Sequence, residues 1–407
     1  CSSDLLYCLS HSVMVAVIIN TLLLLCLSSL VITSSEYPTA TQCNYIECNR
    51  PDCVCSSFET PGNLESKKIP QIVSLSFDDA VNIGNYHYYE DLLFNRINPN
   101  GCPITSTFFL SHVYTDYTLV HDLWARRNEI GSHSISHNIT THYWLNASKE
   151  LWRDEIVGMR QMLAIYGNIP EGDVKGMRAP FLDMGGNRMY EMLYENDFTY
   201  DNSWPTQQSY HLWPYTLDYA SKQTCQIYPC PETTPNVSLP GLWVIPMIDL
   251  EGDNGYPCAM LDTCIVEHTE EAVFNMLMRN FKVHYDGLRG HFGLFQHSAW
   301  FQYPGHYEGL VKFMDYLQTL DDVFIVSLEN FLSWTKTPTT LDRINMFEPW
   351  LESCTPRKRD CRKNTCYYDA LPFLQVSEIY MTSCFRGCPN YYPYVGDPKG
   401  EGSNVYN

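Results

Sequence analysis

QIVSLSFDDA, residues 71–80, is an apolar run closed by two carboxylates, Asp78 and Asp79. Such a run reads as a buried strand, and the carboxyl ends of strands are where α/β barrels keep their chemistry. Downstream, HSISH sets His133 and His137 four positions apart. One carboxylate and two imidazoles make a three-ligand zinc set with an open position, and the spare carboxylate is placed to act on a water there. Asp78-Asp79 alone has a plainer reading as an acidic turn or helix N-cap. Successive side chains of a strand point to opposite faces, so the two aspartates share one site only if the backbone bends at Asp79.

Outward from this stretch, strand-like and helix-like runs alternate from Ile69 to about Thr335. ITSTFFL (104–110) predicts a buried strand and TLVHDLWARR (118–127) a helix. Ser148 to Gly167 predicts a long helix with Ser148 as N-cap and Gly167 as its stop. VKGMRA and FTYD predict short strands, 269–285 a helix, GHFGLFQH and VFIVS the last strands, and 328–335 a closing helix. Repeated strand-then-helix order predicts an α/β fold, a distorted (β/α) barrel over residues 62–338. Every catalytic candidate falls at the end of a predicted strand.

The flanks are rich in cysteine, with 17 in the whole chain. An apolar stretch from Met14 to about Ile32, followed by Thr33, Ser34 and Ser35, predicts a secretory leader over 1–35. It lacks a basic start and its apolar run is long, so an uncleaved anchor is the alternative. Since the chain begins with Cys1, residues 1–13 read as translated leader or a fragment edge. Without Cys1, Cys8 and Cys26, fourteen of the 17 cysteines remain, an even number suited to extracellular disulfides. Residues 36–61 hold Cys43, Cys48, Cys53 and Cys55 and are expected to be stapled to themselves or to the barrel, a metal knuckle being the other reading. Residues 339–407 hold Cys354, Cys361, Cys366, Cys384 and Cys388, an odd set of five, so at least one must pair elsewhere. Of the three Asn-X-Ser/Thr sequons, Asn146 and Asn236 are expected to carry glycans, whereas Asn138, beside His137, is not. The protein is therefore expected outside the cell and free of the membrane once the leader is removed.

A net charge of −20 argues against nucleic acid or an anionic membrane surface, since phosphate binding needs clustered Lys and Arg. A neutral or cationic polymer fits better, and 29 Tyr, 9 Trp and 18 Phe suit sugar stacking as well as core filling. Trp144, Trp213, Trp243 and Trp300 are individually read as core.

Five motifs occur in order inside the barrel segment: SFDD (76–79), HSISH (133–137), RAPF (178–181), DNSW (201–204) and LFQH (294–297). Together with the flanks NPNGC, FFLSHVYTDY and GMRAPFLDMGGN they resemble the polysaccharide deacetylases of carbohydrate esterase family four, most closely the animal chitin deacetylases. The resemblance spans roughly Asn49 to Thr335 and implies a barrel of the polysaccharide deacetylase type that removes N-acetyl groups from chitin or chito-oligosaccharide with Zn2+. Asp79, His133 and His137 would hold the metal, and Asp78 would take a proton from the attacking water. Amide cleavage also needs an acid for the leaving amine. His297 fits that part, with Asp201 expected to hold and charge its imidazole. By resemblance Arg178 pairs with Asp78, and the backbone N–H of Phe181 joins the oxyanion site. Trp204 and Leu294 are expected to wall a pocket for the acetyl methyl.

The chain departs from the family pattern at Ser76, at Phe181 in place of Tyr, in the shortened DNSW, and at Gln296. None of these removes a ligand, base or acid. The alternative is a catalytically weak or inactive chitin-binding matrix protein on the same scaffold. A zinc protease is disfavoured because HExxH is absent.

Overall fold

β1 (Gln71–Asp78) is buried at every position, as its apolar run requires, and the sheet grows outward from it. The computed structural model describes residues 36–208, 211–224 and 234–402; the expected leader lies outside these. The strands after β1 are β2 (Thr107–Leu110), β3 (Glu129–Ser132), β4 (Gly176–Met177), β5 (Tyr200–Asp201), β6 (Pro205–Thr206), β7 (Tyr215–Leu217) and β8 (Leu239–Val244). They continue with β9 (Met247–Ile248), β10 (Leu250–Glu251), β11 (Pro257–Cys258), β12 (Phe292–His297), β13 (Val323–Ile325), β14 (Asn364–Leu371) and β15 (Val376–Ser383).

The main sheet runs β12-β1-β2-β3-β4-β5-β8-β7, with β13 also paired to β1. All of its pairings are parallel except β7 with β8. Helices Tyr117–Ala125, Lys149–Gly167, Glu270–Tyr285, Pro304–Leu317 and Leu328–Lys336 lie between or after the strands. This is the expected α/β architecture, a (β/α) barrel distorted because no ladder joins β7 to β12 among the described residues. The small β6–β9 ladder stands at that gap, with β9 against β12.

Strand alternation sorts the side chains into two layers. Val73, Leu75 and Phe77 of β1 and Phe292 and Leu294 of β12 join helix residues such as Phe281 and Phe313 in one apolar core. Asp78 has the other parity and points to the side on which Arg178 lies against Phe109 and Phe295. Parallel pairing then sets Asp78 level with His297 on one neighbour and Phe109 on the other. The sheet register alone therefore brings the SFDD and LFQH motifs side by side.

The long helix starts where predicted, with the Ser148 side chain accepting from the Leu151 N–H. Its stop is Asn168, left-handed at φ 50°, while Gly167 is the last helical residue. Asn tolerates that conformation nearly as well as glycine does.

Disulfides Cys43–Cys55 and Cys48–Cys53 staple the N-terminal segment to itself and use all four of its cysteines. Cys102–Cys354 ties the tail to the barrel and supplies the outside partner that five tail cysteines demand. The rest of the tail is an antiparallel hairpin, β14–β15, flanked by Cys361–Cys384 and Cys366–Cys388. Its inward residues Cys366, Tyr368, Ile379 and Met381 belong to the barrel's apolar core. That alternation is present in the sequence but is short and interrupted. No helix among the described residues is long and apolar enough to cross a membrane.

Candidate active site

Asp78 is the last residue of β1, and Asp79 has φ 77°, with its N–H bonded to Phe109 O at 3.0 Å. The bend needed for two adjacent aspartates to converge is therefore present. Both reach one imidazole: His133 Nε2 lies 3.9 Å from Asp78 Oδ2 and 3.9 Å from Asp79 Oδ1. His137 Nε2 lies 3.4 Å from Asp79 Oδ1.

His133 Nδ1 is 2.7 Å from Arg178 O. A carbonyl only accepts, so Nδ1 carries the proton and the Nε2 lone pair faces the carboxylates. Burial, reinforced by His137, pushes the His133 pKa down to about 3 and keeps the ring neutral, the form that binds metals. His137 Nε2 is buried without a hydrogen-bond partner. The donor atoms of Asp79, His133 and His137 all lie within 4.8 Å of one another. One oxygen and two lone-pair nitrogens in that space fit a divalent ion of the zinc type.

Arg178 is fully buried. Its Nη1 donates to Asp78 Oδ1 at 2.6 Å, its Nε to Asn202 O at 2.9 Å, and its Nη2 to Asn202 Oδ1. The guanidinium also faces the Phe109 and Phe295 rings at 4.3 and 5.0 Å. Asp78 thus has one oxygen tied to Arg178 and the other turned toward His133. Asn202, the second residue of DNSW, was missed as a site residue in the sequence; it bridges Arg178 to Ile245 O at 2.8 Å.

His297 ends β12, with Nε2 3.9 Å from Asp79 Oδ2. Its carboxylate partner is Asp262, not Asp201: Nδ1 is 2.7 Å from Asp262 Oδ2. Burial works against charge on this ring, but the Asp262 hydrogen bond and the charges of Asp78, Asp262 and Asp79 outweigh it and raise the pKa to about 9. Asp262 sits in the turn Leu261–Thr263, inside the loop closed by Cys258–Cys264. An acidic residue within a short disulfide loop upstream of β12 was the available signal.

Asp201 cannot serve His297, because four strands separate β5 from β12 in the sheet and its oxygens are already used. Oδ1 accepts from Ser203 Oγ at 2.5 Å and Oδ2 from Tyr190 OH at 2.7 Å. Ser203 Oγ in turn accepts the Ala179 N–H at 2.7 Å. Asp201 therefore anchors the RAPF turn from beneath. Burial raises its pKa to about 6 against those two hydroxyl donors.

Leu294 is also displaced from its expected part. It stands three residues before His297, on the opposite strand face, packed in the helix-facing core beside Leu75. Phe295, two before His297, shares its face instead. Gln296 is fully buried on the Leu294 side, away from the imidazole. Trp204 is fully buried, with its indole N–H on Thr224 O at 3.2 Å and its ring 6.5 Å from that of Tyr190.

Phe181 is 43% exposed at φ 56°, its ring 5.0 Å from that of His137. Asp79, Ser134, His137, Phe181 and Leu182 all have positive φ. Such backbone is costly away from glycine and gathers where side chains must be aimed. Asn146 and Asn236 are exposed, and Asn138 is partly buried, its side-chain oxygen accepting from Thr140 N and Oγ1.

No protein-family model matches the chain. It is 39% identical over 375 residues to chitin deacetylase 8 of Bombyx mori, covering 90% of this chain and 95% of that one. With chitin deacetylase 1 of Bombyx mori it shares 34% identity over 384 residues, covering 89% and 69%. A solved peptidoglycan deacetylase from Bacillus subtilis matches at TM-score 0.38 and 11% identity, covering 70% of this chain and 100% of that one. A family 4 carbohydrate esterase from Streptomyces lividans matches at 0.35 and 12%, covering 62% and 91%.

Proposed function

The chain belongs to the chitin deacetylase family of polysaccharide deacetylases, and from that membership we propose that it is a secreted, zinc-dependent enzyme hydrolysing N-acetyl groups of chitin or chito-oligosaccharide. The observation that carries this reading is the convergence of Asp78, Asp79, His133, His137 and His297 at the carboxyl ends of β1, β3 and β12.

Asp79, His133 and His137 would hold the ion, which when bound supplies Lewis acidity to the acetamide carbonyl and acidifies a water. Asp78 is placed to accept a proton from an attacking water as the water oxygen bonds to the carbonyl carbon. The bond from Arg178 holds Asp78 in its aim. The backbone N–H of Phe181 donates to the developing oxyanion. His297, oriented by Asp262, gives its Nε2 proton to the sugar nitrogen as the carbon–nitrogen bond breaks. Acetate and a glucosamine unit leave. Trp204 and Phe295 are assigned to the walls around the acetyl group. Glycans are assigned to Asn146 and Asn236.

The disulfides, among them Cys43–Cys55 and Cys102–Cys354, support a secreted protein. The test is acetate release from N-acetylated chito-oligosaccharide, before and after chelation and with zinc restored. Loss on chelation with recovery on zinc is the expected result. No release from folded, zinc-loaded protein on several acetylated sugars would favour the chitin-binding matrix protein instead.

A further inference from the structure

The helix Lys149–Gly167 buries Trp152, Ile156, Met159, Met162 and Leu163, as an amphipathic helix should, but Glu155 lies among them at 0% exposure. A carboxylate placed there is expensive unless its lone pairs are filled. They are filled by one short loop and its neighbour. Oε2 accepts the N–H groups of Ile135 and Ser136 at 3.0 and 2.9 Å. Oε1 accepts Ser136 Oγ at 2.5 Å and Tyr143 OH at 2.7 Å.

Ile135 and Ser136 are two of the three residues between His133 and His137. Ser134 and His137 on either side have φ 77° and 43°, so the loop coils left-handed and turns consecutive N–H groups inward. This is an anion nest, and Glu155 is its anion. The helix comes close enough for this because it has glycine at 158, where a Cβ would stand 2.8 Å from Ile135 Cδ1. Ser132 Oγ adds a bond to Ile156 O at 2.9 Å. The loop closes on itself through His137 N to Ser134 Oγ at 3.1 Å.

We propose that Glu155 is the positioning residue of the HSISH loop: by gripping Ile135 and Ser136 it fixes the distance and angle between the His133 and His137 imidazoles, and so sets the protein's affinity for its metal. The proposal rests on reading Asp79, His133 and His137 as the ligands. Outer groups that orient ligands are worth about 10- to 100-fold in metal affinity.

Zinc affinity is measured by competition with a chromogenic chelator on the full chain, with circular dichroism confirming the fold. Glu155→Ala is expected to weaken zinc binding about 10- to 100-fold. Glu155→Gln should recover most of it, since its amide oxygen can accept the two backbone N–H groups while its NH2 donates to Ser136 Oγ and Tyr143 OH. Tyr143→Phe, which leaves the grip on the loop, should change affinity only a few-fold. Should Glu155→Ala fail to fold, Ser136→Ala takes its place, with a several-fold loss expected. A folded Glu155→Ala, or in its stead Ser136→Ala, that binds zinc like the wild type overturns the proposal. His137→Ala separates the two levels: unchanged zinc binding there overturns the ligand set itself.

Discussion

Asp78, His133 and Arg178 expose 3%, 1% and 0% of their surface, whereas the side chains of Asp79, His137 and His297 keep 42%, 22% and 27%. The two groups meet around the same few ångströms but are held differently. Asp78 and His133 stand at strand ends, and Arg178 follows β4 directly. Their partners are each other, Asn202 and backbone carbonyls. The more open group is aimed by positive-φ turns at Asp79 and His137 and, for His297, by a disulfide loop carrying Asp262. On one side burial keeps His133 neutral and the Arg178 carbonyl fixes its tautomer, and on the other exposure leaves room for a polymer. Truncations in the buried half are therefore expected to damage the fold as well as turnover, whereas those in the open half are expected to damage turnover alone.

Arg178→Ala is the strongest test. It strips the cation from a buried carboxylate, and removing one partner of a buried pair costs about 3–5 kcal/mol. Urea denaturation should register that loss together with loss of acetate release. Stability within about 0.5 kcal/mol of wild type would mean the buried half is not a charge-matched unit. Next comes a pair of carboxylates. Asp262→Ala should cut kcat about 100-fold with little change in Tm, as expected for a group that orients a catalytic imidazole. Asp201→Ala should instead cost about 1–3 kcal/mol by leaving Tyr190 and Ser203 without an acceptor. If the two variants exchange phenotypes, the assignment of His297's partner is wrong. The smallest effect is expected from Cys258→Ser with Cys264→Ser, a few-fold loss of kcat with zinc binding intact. A loss as large as that of Asp262→Ala would make the disulfide, rather than the turn it encloses, the element that places the carboxylate.

The strand of residues 71–78 was legible because an uninterrupted apolar run has few other fates in a chain of alternating elements. RAPF and the end of GLFQH were legible because each lies where a predicted strand stops, whereas HSISH was legible from the spacing of its imidazoles, the strand Glu129–Ser132 before it having gone unread. The bend at Asp79 followed from side-chain alternation alone. The same alternation, applied backward from His297, would have chosen Phe295 over Leu294. The partners were not legible. Glu155 reads as one more charge on an amphipathic helix, and Asn202 as a spacer in DNSW. Asp262 is hidden in a loop where cysteines draw attention, and which carboxylate reaches an imidazole depends on strand order around the barrel. Local pattern decides where an element ends, and long-range packing decides what meets it there.

The most direct test of the account is Asp78→Asn, with bound zinc and acetate release measured on the same sample. The substitution keeps the shape of the side chain and all three ligand residues but removes the base. Zinc should stay bound as in the wild type while acetate release falls about 100- to 10,000-fold. Zinc-loaded Asp78→Asn that still releases acetate at a rate near wild type would contradict the assignment of Asp78 as the base.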